Sequence, residues 1–505
     1  MLAAHHGAVR IHFLGGANTV TGSQFLLETS QAKVLIDCGM FQGAPNDAIR
    51  NHVPLAYDAP AIDAMLLTHA HLDHCGLIPH VVAAGFRGAI HATAGTVELA
   101  SLVLLDSAKL QEEFAARHDR FARKHPDRAA AEDADEETTL AAAMELDPEA
   151  ALRAAAAPTV TDLNAPLYTT DDANAAIALF KAVAYEVEIA IAPGVHATFL
   201  DAGHILGSAI IRVRVSDGAG ERVIVFSGDL GRPDTPIIRD PTRVADADYL
   251  LIESTYGGRE HEPAAEAIRL LGEAVRETAA AKGVLLIPSF AIGRTQEVVF
   301  ELDRLLAAHQ IPHLPMYLDS PMAQKATDIY RRYPAYYDAE TRALIAAHDP
   351  PLDYPGATVT ASGKESAAIH RAPRPFLVIA SNGMISGGRI VQHVKELIGD
   401  PGMTLLFVGY QGQGTLGAQL QAGAGTVRID GQVLEVHCRI RSIDGFSAHA
   451  DEPELLAWLG GFTTKPKTVF IVHGEPAAQA ALQTKVAALG FQKKIPHWRE
   501  TVELA

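Results

Sequence analysis

Cysteine is scarce in this sequence: Cys38, Cys75 and Cys438 are the only three, and no C-x-x-C pair occurs. That excludes a disulfide framework and a structural zinc cluster of the thiolate kind. Cys75 stands beside a histidine-rich motif, where a buried free thiol is favoured over a ligand. Long apolar runs are missing too, since no uninterrupted stretch reaches the length needed to cross a bilayer. The first residues, MLAAHHGAVRIHFLGG, have no basic segment followed by a long apolar core, so a cytoplasmic protein without membrane contact is expected. Positive charge is in deficit as well. Lys and Arg number 42 against 60 Asp and Glu, a formal charge of -18, which argues against a protein that simply coats nucleic acid.

With 505 residues, 48% of them hydrophobic, the chain can bury substantial cores and form two or three domains. Two features depart from the ordinary. Histidine occurs 23 times, roughly double its usual share, and it is both the commonest metal ligand and the side chain that titrates nearest neutral pH. Acidity is concentrated between Asp127 and Arg153, where nine carboxylates meet two arginines in an Ala-rich stretch almost without aromatics. Such a composition reads as a solvated insertion, drawn here at residues 126–158.

The first half shows short strands punctuated by glycine: Val9 to Gly16, Ser23 to Thr29, Lys33 to Gly39 and Ala64 to Thr68, and later His196 to Asp201, Ala209 to Val215, Arg222 to Asp229 and Tyr249 to Thr255. A long helical pattern from about Thr96 to Lys124 lies between the two groups. After about Gly257 the pattern changes. GVLLIPS, MYLDSP, PFLVIASNG and TLLFVGYQG each lead through a loop into a helix, the signature of a parallel, doubly wound sheet. Short strands return after about Ile440, including TVFIVHG, so the second domain is inserted in the first: residues 1–256 and 441–505 form one unit and 257–440 the other.

The strongest chemical signal is THAHLDH, with His69, His71, Asp73 and His74. Residues two apart on an extended segment face the same way, and the adjacent Asp and His reach a neighbouring point after a turn. Two metal ions accommodate four such ligands better than one, and a pair about 3.5–4 Å apart can clamp both oxygens of a displacement. His204 in AGHILGS, Asp229 in SGDLG and His473 in IVHGE repeat one device, a ligand type in a Gly-containing loop beyond an apolar strand. Glu253 in IESTYGG and His449 in FSAHAD occupy similar settings as acid/base candidates.

This ordered series, with LGGANTVTGS, IPSFAIGRTQE, YLDSPMA, ASNGMISGGR and GYQGQGTLG, resembles the metallo-β-lactamase superfamily and specifically its β-CASP nuclease branch. That branch includes bacterial and archaeal ribonucleases and the nuclease subunit of the eukaryotic mRNA 3′-end cleavage machinery. The resemblance implies an αββα sandwich with an inserted parallel α/β domain. It further implies two zinc ions, one on His69, His71 and His204, the other on Asp73, His74 and His473, bridged by Asp229 and a hydroxide. Asp73, Glu253 and His449 would form the catalytic set, with the hydroxide attacking a phosphodiester of RNA and His449 protonating the leaving oxygen. Arg294, Ser381 and Gly383, in the loops of the inserted domain, would touch the substrate backbone. The resemblance leaves DNA open as a substrate and allows a homodimer.

Three other readings follow from the same residues. The fold type also suits a hydrolase of a small thioester or lactone, although such a substrate has no need of the inserted domain. A non-catalytic RNA-binding scaffold would be expected to have lost ligands that are all present here. Gly412, Gly414 and Gly417 satisfy G-x-G-x-x-G between a strand and a helix, a dinucleotide fingerprint, but late in the chain.

Overall fold

A computed structural model describes residues 9–43, 45–128, 138–139, 163–217, 220–349, 351–412 and 414–505. Most of the acidic insertion expected at 126–158 lies outside the described residues. Among the described residues no helix is long and apolar enough to cross a membrane.

Two seven-stranded sheets face one another. The first is built from β1 (Val9–Gly15), β2 (Gln24–Glu28), β3 (Lys33–Ile36), β4 (Ala64–Leu66), β5 (Ala89–Thr93) and β6 (Phe180–Val183), with the last strand of the chain, β22 (Glu500–Leu504), antiparallel on the outer side of β1. The β1 to β3 meander is antiparallel and the run from β3 to β6 is parallel. The second sheet contains β7 (Ile189–Ala192), β8 (Val195–Asp201), β9 (Ala209–Asp217), β10 (Gly220–Phe226), β11 (Tyr249–Ile252), β20 (Thr468–Ile471) and β21 (Lys493–Lys494). Alternation in β8 and β9 sends Val195, Ala197, Phe199, Ile211, Val213 and Val215 inward, where they meet Ile11, Phe13, Val34 and Leu66 of the first sheet. Helices cover both outer faces. Residues 78–83, 94–124 and 170–177 lie on the first sheet, and 452–459 and 476–488 on the second, completing an αββα sandwich.

Between β11 and β20 the chain leaves this sandwich. The inserted sheet runs β14 (Thr358–Val359), β13 (Met316–Asp319), β15 (Phe376–Ala380), β12 (Val284–Pro288), β16 (Met403–Phe407), β19 (Arg439–Ser442), all parallel. VLLIP, FLVIA and MTLLF are buried at every position because helices pack on both faces, which is why they read as continuous apolar runs. The edge strand β19 crosses the 440/441 boundary drawn from the sequence. A small antiparallel hairpin, β17 (Thr426–Ile429) and β18 (Gln432–Glu435), stands apart.

The two units share a core. Ile292, Phe300, Ile329 and Tyr330 of the insert join the cluster under the first sheet, and the Tyr330 hydroxyl accepts a 3.1 Å bond from the Leu206 amide. Leu206 belongs to the loop that carries His204, so the inserted domain is seated directly on the loops at the strand ends.

Candidate metal centre

The residues singled out from the sequence gather at one end of the sandwich. His69, His71, Asp73 and His74 follow β4; His204 follows β8, Asp229 β10, Glu253 β11 and His473 β20. Each side chain therefore leaves the carboxyl end of an apolar strand, and both sheets contribute. His449 enters on the return from the inserted domain, just after the short helical turn Asp444–Phe446.

Two nitrogen-rich donor sets form, and Asp229, Glu253 and His449 lie close enough together to make a third group. In the first, His71 Nδ1 lies 3.1 Å from His69 Nε2 and 3.1 Å from His204 Nε2. The second joins Asp73, His74 and His473, with His74 Nε2 3.1 Å from His473 Nε2 and Asp73 Oδ2 3.6 Å from the same atom. Asp229 stands between them. Its Oδ2 is 3.4 Å from His69 Nε2 and 3.6 Å from His204 Nε2, whereas Oδ1 is 3.2 Å from His74 Nε2 and 3.4 Å from His473 Nδ1.

The outer sides of these imidazoles show why the nitrogens converge. Thr68 Oγ donates to Asp37 and so accepts from His69 Nδ1 at 3.1 Å. His74 Nδ1 meets Asp37 Oδ2 at 2.8 Å, His204 Nδ1 meets the Ala448 carbonyl at 3.2 Å, and His473 Nδ1 meets Thr255 Oγ at 3.2 Å. A proton on the outer Nδ1 of His69, His74, His204 and His473 leaves the inner Nε2 as a lone pair, the arrangement that metal-binding histidines require, whereas His71 turns Nδ1 inward and its buried Nε2 has no partner among the described residues. Facing lone pairs repel unless a cation lies between them, so this donor set fits metal ions, and its mix of imidazole and carboxylate suits zinc. Burial holds His69 and His204 well below the usual imidazole range, which keeps them neutral. Burial opposes charge on Asp229 as well, but the His473 and His74 rings outweigh it and hold its carboxyl well below the usual range.

Beside this pair, His449 Nδ1 lies 3.2 Å from both oxygens of Glu253. Glu253 is fully buried and is fixed by the amides of Leu230 at 2.7 Å and Thr255 at 3.3 Å. Burial alone would lower the His449 pKa, but Glu253, with help from Asp229, raises it to about 9.

Sequence reasoning overlooks Asp37 and Thr68. Asp37 accepts from the Thr68 amide, the Thr68 hydroxyl and His74 Nδ1, each at 2.8 Å, and has φ 57°. His473 also has a positive φ, 48°, so two non-glycine residues of the site occupy the left-handed region. An Asp just past the apolar strand KVLI offers the same signal as Asp229, but nothing in its spacing distinguishes it from a turn residue. Asp37→Asn is expected to weaken metal affinity about 10- to 100-fold, the usual effect of losing an orienting partner. Chelator competition would measure it, and an unchanged affinity would contradict the role.

The loops of the inserted domain stand over this centre. The Phe290 ring is 6.5 Å from that of His71. Gly383 packs on Phe290, where a Cβ would come within 2.9 Å of the ring, so only glycine fits. Ser381 Oγ donates to Ser320 Oγ at 3.0 Å. Arg294 is buried at the start of the helix Arg294–Ala307, with its guanidinium paired to Glu297 inside the insert. The glycine fingerprint is filled rather than open: a Cβ on Gly417 would meet Gln411 Oε1 at 1.8 Å. Cys75 is buried, with its thiol directed at the Ala70 carbonyl, outside both donor sets.

An αββα sandwich with these donors at its strand ends and a doubly wound domain between β11 and β20 defines a class, and the chain belongs to the metallo-β-lactamase superfamily, in its β-CASP branch. The superfamily matches residues 17–288, the Beta-Casp domain 295–420, and a domain described as a Zn-dependent metallo-hydrolase RNA specificity domain 433–496. Among curated proteins the chain is similar to Ribonuclease TTHA0252 of Thermus thermophilus, with 35% identity over 98% of this chain and 100% of that protein. It is also similar to the transcription termination factor FttA of Methanosarcina mazei (31% identity, 95% of this chain, 69% of that protein) and of Pyrococcus horikoshii (30%, 98% and 71%).

Proposed function

We propose that this protein is a metal-dependent ribonuclease that hydrolyses phosphodiester bonds with two zinc ions. The observation that carries this reading is the placement of Asp229, whose two oxygens each face a separate nitrogen-rich donor set while His449 and Glu253 stand beside them. The similarity to a ribonuclease over the whole chain and the RNA specificity domain support RNA as the substrate.

His69, His71 and His204 would hold one ion, Asp73, His74 and His473 the other, with Asp229 shared. Zinc bound there supplies Lewis acidity toward a phosphoryl oxygen and acidifies water close to neutral pH. The protein's own part is positional. Glu253, locked by two amides, takes the Nδ1 proton of His449 as a hydrogen bond, stabilises the imidazolium and leaves Nε2 as the atom that delivers a proton to the leaving oxygen. Ser381 and the backbone of Gly383 would contact the phosphates on either side of the scissile bond, with Arg294 behind them. The Phe290 ring, 6.5 Å from that of His71, would limit the access of bulk water to the nitrogen cluster.

Digestion of end-labelled linear RNA, circular RNA and matched single-stranded DNA by zinc-loaded protein tests the assignment. Cleavage of RNA that a chelator abolishes is the expected result, and opening of the circle would mark an endonuclease. Hydrolysis of a thioester or lactone with both RNA forms left intact would overturn it.

A further inference from the structure

The helix Ala94–Lys124 changes character along its length. Its first half is a core element: Leu99, Ala100, Leu104 and Ala108 are fully buried, and the hydroxyls of Thr93 and Thr96 both donate to the Gly207 carbonyl in the loop that carries His204. Gln111 and Glu112 tie it to the body by holding the Leu167 and Thr170 amides. Beyond them the stretch is cationic: Phe114, Arg117, Arg120, Arg123, Lys124 and Arg128 are exposed and Phe121 is half-buried. Residues 114–128 carry Arg117, Arg120, Arg123, Lys124 and Arg128 against Asp119 and Asp127, a net +3 in a chain of -18.

Two aromatics stand among these cations. Phe114 is 57% exposed, with the Arg117 guanidinium 4.8 Å from its ring centre. Phe121, on the same face two turns later, has Arg128 at 5.8 Å and the His125 ring at 5.2 Å. Among the described residues no carboxylate forms an ion pair with Arg117, Arg120, Arg123, Lys124 or Arg128. A favourable interaction with the helix dipole accounts for Arg123 and Lys124 in the last turn. It does not account for Arg117, two turns earlier, or for a phenylalanine left in water.

We propose that residues 114–128 form a second RNA-binding surface, remote from the metal centre, in which Phe114 and Phe121 stack bases and the flanking arginines hold phosphates. This rests on RNA being the substrate. Aromatic rings bracketed by arginine are a sequence-tolerant platform for single strands. Charge complementarity selects the occupant, since Arg294 is already paired to Glu297 and most of the chain repels a polyanion. Arg117 lies 23 residues beyond the start of the helix at the His204 loop, about 35 Å at 1.5 Å per residue, which is about ten stacked nucleotides. An RNA long enough to span that distance engages both surfaces, and a short one engages only the cleft.

Binding by fluorescence anisotropy, with RNAs of about 30 and about 5 nucleotides, compares the wild-type protein with a combined Arg117→Gln, Arg120→Gln, Arg123→Gln, Lys124→Gln variant and a Phe114→Ala, Phe121→Ala variant. All six positions lie on the projecting half of the helix, and circular dichroism checks that it persists. The charge variant should bind the long RNA about tenfold or more weakly, with the slope of log K against log salt reduced by about 0.7 for each cation removed. The aromatic variant should lose about fivefold or more with the slope retained. Affinity for the short RNA and its turnover should not change. Long-RNA affinity equal to wild type in both variants overturns the proposal, and so does an effect confined to anionic phosphatidylserine vesicles or to self-association. It would assign the charge to another partner, the acidic run at 132–149 of the same chain included. Arm-dependent binding without cleavage by any form would refute the nuclease reading and leave the arm standing.

Discussion

Asp229→Ala is expected to abolish normal metal loading and to lower RNA hydrolysis by at least about 10²–10³-fold. The carboxylate is 2% exposed and contacts His69, His74, His204 and His473 within 3.6 Å, so no solvent or neighbouring acid replaces it. Its removal leaves the two donor sets with imidazoles and Asp73 alone, and nothing then fixes one ion relative to the other. The fold should survive, because the strands carrying these loops are held by extensive buried cores between and outside the two sheets. Metal analysis of the purified variant is the check. Wild-type zinc stoichiometry would contradict the bridging position.

His449→Ala should separate chemistry from metal binding. His449 belongs to neither nitrogen-rich donor set, so zinc content should match the wild type while turnover falls by about 10² or more, the scale of a positioned general acid. The loss should appear in kcat rather than KM, because a general acid acts on the leaving group in the transition state rather than on the substrate's binding contacts. Glu253→Gln should reproduce part of the defect by removing the charge that raises the His449 pKa. Full activity in His449→Ala would remove it from the mechanism.

Those two residues also show how much of the site is legible in the sequence. Asp229 and its partners follow apolar strands whose burial makes them unmistakable, such as AML before His69 and TVFI before His473. The strand-end rule therefore places them together even though 399 residues separate His74 from His473. Asp37 escapes because its function depends on reaching across to Thr68 and His74, a contact between adjacent parallel strands that no local spacing encodes. Arg294 reads as a phosphate contact for its charged planar fork, and the fold pairs that fork with Glu297, one turn along the same helix, a contact the sequence pattern does not announce. Among the strands, β12, β15 and β16 are legible as buried runs. The short edge strands β7, β14 and β21 are not, since two to four half-exposed residues carry no periodicity. The exposed end of the long helix is visible in the sequence only as a continuation of the helical pattern, and its separation from the body emerges from burial.

Zinc titration of metal-stripped protein, followed by cleavage of end-labelled RNA, bears most directly on the two-metal ribonuclease assignment. Activity should be absent without metal and should rise to a plateau at two zinc ions per chain. Undiminished cleavage by the stripped protein, or intact RNA with two zinc ions bound, would contradict it.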